Sequence, residues 1–121
     1  FRRVGTYAQS FGKRPEARGQ LVSFLRKVAA AYPQNDAYAS ALGKALFDNQ
    51  DCAGSEKTFQ RLLLKRPNDV EVLNVLALTA WCQNRLDEAR AFFNRSLSQN
   101  PNQPSVRADL ARLEQAAKAG P

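Results

Sequence analysis

The residues of this sequence that could do chemistry are few, and their spacing speaks against catalysis. There is no histidine among the 121 residues, which removes the commonest general base and the commonest metal ligand. The two cysteines, Cys52 and Cys82, stand 30 positions apart, without the C-x-x-C spacing of a metal site. The adjacent acids Asp87 and Glu88 read as solvated surface, and no glycine-rich phosphate loop occurs. The expectation is a chain with no enzymatic activity, no cofactor and no bound metal. The signal that remains is a spacing of 34, shared by the aromatic residues Phe47 and Trp81.

That spacing runs through the chain. Pro33, Pro67 and Pro101 lie 34 and 34 apart, in YPQND, RPNDV and NPNQP. Leu42, Leu76 and Leu110 fall in register, each followed by a small residue, Gly43, Ala77 and Ala111. So do Leu25, Phe59 and Phe93, then Ala29, Leu63 and Leu97, and on the polar side Lys27, Arg61 and Arg95. A fixed period of this length signals a stacked array of small units rather than one globular core.

Each unit reads as two helices. Leu73, Leu76, Ala77 and Ala80 recur at i, i+3, i+4, i+7, one face of a helix. Leu86, Ala89, Phe92, Phe93 and Leu97 form a second stripe. Gln83-Asn84-Arg85 parts them without an apolar residue, and Asn84 is the expected N-cap of the second helix. Proline at the end of each period cannot continue a helix. The expected helices are 36–48, 52–66, 70–83, 86–99 and 104–118, with Asp51 capping the second. Before them, one helix is expected over 1–13, and another opens near Pro15 with Leu21, Phe24, Leu25 and Val28 buried. In 104–118, Val106, Leu110 and Leu113 line one side, opposite Arg107, Asp109, Arg112 and Glu114. That pattern suits a helix that closes an array with a wet exterior.

The chain resembles the tetratricopeptide repeat family. Residues 70–103 carry the family pattern as Leu73, Leu76-Ala77, Ala80, Ala89, Phe93 and Pro101, and 36–69 carry it as Ala39, Leu42-Gly43, Leu46, Ser55, Phe59 and Pro67. Ala39 replaces a large residue, Ser55 replaces alanine, and Leu46 and Ala80 replace an aromatic, which makes these degenerate repeats. The resemblance implies an all-α fold, a right-handed α-solenoid of antiparallel helix hairpins. The single domain 1–121 would hold an incomplete repeat over 1–33, repeats 36–69 and 70–103, and a capping helix over 104–118. Starting at Phe1 inside a repeat suggests a fragment of a longer protein.

The resemblance also implies a binding face, because the first helix of each repeat lines a concave groove. Its groove positions map to Ala37, Ser40, Lys44 and Phe47, to Glu71, Asn74, Leu78 and Trp81, and to Ser105, Ala108 and Arg112. The residues singled out for a peptide or partner helix are Ser40, Lys44, Phe47, Asn74, Leu78, Trp81 and Arg112. Phe47 and Trp81 would stand as an aromatic ladder, or else fold into the core. Asn74 would offer an exposed amide to an extended backbone. One subtype of the family clamps the C-terminal carboxylate of chaperones with Lys and Asn where this chain has Ser40 and Lys44, so that clamp is broken.

In the same arrangement Cys52 opens one helix and Cys82 closes its neighbour, which allows two readings. The thiols could reach disulfide distance, or remain as two small buried hydrophobes. A disulfide would point to a periplasmic or other extracytoplasmic location, and reduced thiols to the cytoplasm.

Composition adds bounds. The net charge of +7 is concentrated in residues 1–33, which hold seven basic residues and one acidic. This end could attract an anionic polymer, although Tyr7 and Phe11 are the only aromatics beside Arg2, Arg3, Lys13 and Arg14, so nucleic acid is disfavoured. No run of 18 apolar residues exists, so no transmembrane segment is expected. With these bounds, what the resemblance implies is a protein–protein interaction scaffold. The alternatives are a self-assembling spacer, with a second copy stacked on the open amino-terminal edge, or an anionic-polymer binder. Bacterial envelope assembly is a setting in which such modules recur.

Overall fold

The computed structural model describes residues 15–119. Among them are six helices and no strand: α1 (Pro15–Ala31), α2 (Asp36–Asp48), α3 (Cys52–Lys65), α4 (Val70–Cys82), α5 (Leu86–Gln99) and α6 (Pro104–Ala119). The helix expected over 1–13, with Tyr7, Phe11 and the basic residues around them, lies outside the described residues. The chain divides into two compact units, 1–58 and 59–121, and α3 runs through the boundary.

In the first unit α1 packs on α2. Val22, Ala45 and Leu46 form the buried centre, with Leu21, Leu25 and Leu42 partly buried against it. The expected apolar face of α1 needs one correction. Phe24 is 60 % exposed and the buried position is Val22, because Val22 and Leu25 (i, i+3) meet Leu42, Ala45 and Leu46 and Phe24 falls to one side. Arg18 Nη1 donates to the Asp48 carbonyl at 3.3 Å, placing a cation at the negative end of α2.

The second unit has the deeper core. Leu73, Leu76, Ala77 and Ala80 of α4 are all buried, as are Ala89 and Phe93 of α5. One cluster joins Ala77, Ala80, Ala89 and Phe93 to Val106 and Leu113 of α6. Each large side chain removed from water here contributes about 1.5–3 kcal/mol. Arg90 of α5 holds α6 from outside, donating from Nε to Glu114 at 3.0 Å and from Nη1 to Asp87 at 2.8 Å. The hydrogen bond to Glu114, then that to Asp87, holds the Arg90 guanidinium above its ordinary pKa.

The helix ends repeat with the period. Asn35 caps α2 by accepting from Tyr38 N, and Asp69 caps α4 by accepting from Glu71 N and Val72 N. Asp51 Oδ1 accepts from Gly54 N at 2.9 Å at the start of α3. At the other ends, Gln50 N bonds Phe47 O and Asp51 N bonds Leu46 O, while Asn84 N bonds Trp81 O and Arg85 N bonds Ala80 O. These are two Schellman closures, each requiring a left-handed residue at C′, and Gln50 (φ 66°) and Asn84 (φ 62°) supply it. Asn84 is therefore not the N-cap of α5. Arg85 holds that place without a side-chain cap, because the tight turn needs the positive φ one residue earlier.

Candidate functional site

The residues singled out by sequence fall on three helices. On α2, Ser40 and Phe47 are half-buried and Lys44 is exposed. On α4, Asn74, Leu78 and Trp81 sit at i, i+4, i+7 and are all half-buried. On α6, Arg112 is exposed and paired with Asp109, one turn earlier on the same helix.

The α4 row combines a core-backed floor with a wet surface. Leu78 and Trp81 both pack against the cluster of Ala77, Ala80, Ala89, Phe93, Val106 and Leu113, while keeping part of their surface in water. The Trp81 indole meets the Phe93 ring edge-on, with centroids 6.5 Å apart and planes at 86°. Of the two roles open to Trp81, packing is thus occupied, and it leaves one part of the ring free for contact. An aromatic held this way loses little further freedom on binding a partner.

Asn74 departs from the exposed amide expected of it. It is half-buried, and its Nδ2 donates to Gln103 Oε1 at 3.0 Å. Its Oδ1 is buried and accepts no hydrogen bond. Gln103 in turn donates from Nε2 to Ser96 O (3.1 Å), Ser96 Oγ (3.0 Å) and Asn100 O (2.7 Å). It thereby serves the carbonyls at the end of α5 and gives buried Ser96 a partner.

Sequence reading missed Gln103. The signal was present: position 103 is in register with the caps Asn35 and Asp69, and glutamine is too long to cap its own helix as they do. Freed from capping α6 with its side chain, it reaches back to α5 and across to α4.

Cys52 is buried at the start of α3, Cys82 is exposed at the end of α4, and both are disulfide-bonded. Among the described residues no group of three or more His, Cys, Asp or Glu could hold a metal ion. No described helix is long and apolar enough to cross a membrane.

A family model described as tetratricopeptide repeat matches residues 40–104. No curated protein matches the chain. Several solved structures are similar to it. One is the NMR structure of the first TPR domain of the human RPAP3 protein, 17 % identical, covering 94 % of this chain and 89 % of that one, with a TM-score of 0.78. Another is the first TPR of Spaghetti (RPAP3) bound to the HSP90 peptide SRMEEVD, 20 % identical, covering 96 % and 89 %, with a TM-score of 0.76. At these identities the likeness is one of fold, and it makes the architecture an all-α helical-repeat solenoid of this type.

Proposed function

This chain belongs to the tetratricopeptide repeat family, and on that premise we propose that it is a protein–protein interaction module without catalytic activity. Its ligand is a short apolar or amphipathic peptide or a partner helix. The observation that carries this reading is the α4 row: Asn74, Leu78 and Trp81 share one helix face, and two of them rest on the core while remaining partly exposed. Partly exposed apolar side chains held rigidly from behind are what a binding face requires, since they add desolvated contact at low entropic cost. In the other unit Ser40, Lys44 and Phe47 of α2 form the corresponding row, and Arg112 adds a cation from α6.

A domain of similar fold is bound to an HSP90 peptide, which supports a peptide ligand as a class. It does not extend to that peptide here, because Ser40 and Lys44 occupy the places where the carboxylate-clamping subtype has Lys and Asn. Bacterial envelope assembly is the setting we favour for the module.

The test is selection of a random-peptide display library on the immobilised chain, followed by titration of the enriched peptides. Wild type should bind them at least tenfold more tightly than Leu78→Ser or Phe47→Ala variants with unchanged helicity. Failure to enrich any sequence, or affinities indifferent to both substitutions, would remove the reading.

A further inference from the structure

We propose that the outward face of α3 docks on an anionic lipid surface, with Leu64 entering the interfacial layer and Lys57, Arg61 and Lys65 meeting acidic headgroups. None of these residues belongs to the α4 row, so failure here leaves the peptide-binding reading untouched.

The register that sets Lys27, Arg61 and Arg95 in one column plays no part in the α4 row. On α3 its cation has company. Lys57, Arg61, Leu64 and Lys65 recur at i, i+4, i+7, i+8 of one helix, so they share a face, and all four are exposed. The row runs about 12 Å along the helix axis. Neither Lys57 nor Arg61 has an acidic residue three or four positions away on either side. Glu56, the one acid of α3, is half-buried and stands off this line. Arg95 of α5 adds a further cation: its Nη2 donates to the Pro67 carbonyl at 3.2 Å, beside the segment that follows α3.

Elsewhere the chain builds its charged surface differently. On α5 and α6 cations are paired with acids: Arg85 with Glu88, Arg90 with Asp87 and Glu114, Arg112 with Asp109. Arg66, just past the row, is likewise paired with Asp69. On α3 the cations stand one turn from each other, an arrangement that weakens a helix, and they flank a leucine left 86 % exposed. A single exposed leucine is ordinary by itself. Within an acid-free basic row it has a use. The cations draw the helix face toward acidic headgroups, and the apolar side chain projecting among them gains by leaving water. A nucleic acid would use the charges but not the aliphatic chain, because single strands stack on aromatic rings, and no aromatic lies on this row.

The test is co-sedimentation of the whole chain with vesicles of phosphatidylcholine alone, and of phosphatidylcholine and phosphatidylglycerol in equal parts. The chain should bind the mixed vesicles, ignore the neutral ones, and release as salt is raised. Arg61→Glu should weaken binding about thirtyfold, since it changes the local charge by two. Leu64→Ser should weaken it about tenfold while leaving retention on immobilised heparin unchanged. Both side chains are exposed, so helicity by circular dichroism should match wild type. The double variant Arg2→Gln, Arg3→Gln should lose less vesicle binding than Arg61→Glu alone.

Equal binding to neutral and acidic vesicles, or no binding to either, would overturn the proposal. So would Leu64→Ser matching wild type; with Arg61→Glu still impaired, that result gives the face to a soluble polyanion or an acidic protein instead. A loss found in the Arg2, Arg3 variant and not in Arg61→Glu places the lipid contact at the amino terminus and overturns it as well.

Discussion

Trp81 and Phe93 meet edge to face across the α4–α5 hairpin, ring centroids 6.5 Å apart, so the residue proposed to contact a partner is also part of the packing. The two roles separate by substitution. Trp81→Ala should lower unfolding free energy by about 2–4 kcal/mol, less than a fully buried aromatic because the ring is half-exposed. Trp81→Phe keeps an apolar ring against the cluster and should cost under about 1.5 kcal/mol. Urea unfolding followed by circular dichroism measures both. Equal losses for the two variants would mean that ring contact with Phe93 contributes nothing particular.

The left-handed residues at the helix turns give a second expectation. Gln50 and Asn84 adopt φ of 66° and 62°, a region that side chains with a Cβ occupy at a cost. Glycine occupies it freely. Gln50→Gly and Asn84→Gly should each stabilise the chain by up to about 0.5–1 kcal/mol, with Asn84→Gly the smaller, since asparagine tolerates this region better than glutamine. Thermal melts of the single variants decide the order.

A third expectation concerns Ser55. It stands where the repeat pattern has alanine, is fully buried, and its hydroxyl has no hydrogen-bond partner. Ser55→Ala removes the unmet group and fits the same space, so it should raise stability by about 1–2 kcal/mol. A loss of stability would show that the hydroxyl is satisfied in solution.

How far these features were legible depends on what periodicity encodes. The stripe Leu73, Leu76, Ala77, Ala80 placed the core face of α4 correctly, and the helix limits agree within a residue, because prolines and caps recur with the same period. The pattern could not tell that Phe24 sits beside the packed stripe rather than in it, since a stripe gives a direction but not its width. It also missed the sign of φ at Asn84, because asparagine favours both N-caps and left-handed turns. Gln103 was missed for another reason. Its register with the caps Asn35 and Asp69 marks the position, but its partners Asn74, Ser96 and Asn100 are set by side-chain reach, which periodicity does not encode. The row of Asn74, Leu78 and Trp81 was legible as positions, whereas the half-buried setting of Asn74 depends on a hydrogen-bond partner 29 residues away in sequence.

The last expectation concerns the cysteines. The sequence holds two, and both Cys52 and Cys82 are disulfide-bonded. We expect them to be joined to each other, so peptide mapping without reductant should recover one linked pair. Its mass should be lower than that of the reduced peptides by two hydrogens. A bond closing a loop of about 30 residues restricts the unfolded chain, and by the loop-entropy relation it contributes about 3–4 kcal/mol. Reductant should therefore lower the urea midpoint substantially, and the Cys52→Ala, Cys82→Ala double variant should match the reduced wild type. The contribution is large beside the total stability of an ordinary domain, about 5–15 kcal/mol. Such a bond persists only in an oxidising compartment. Free thiols in the natively isolated protein, with an unfolding midpoint indifferent to reductant, would put the chain in a reducing compartment and leave both units standing on their helical packing alone.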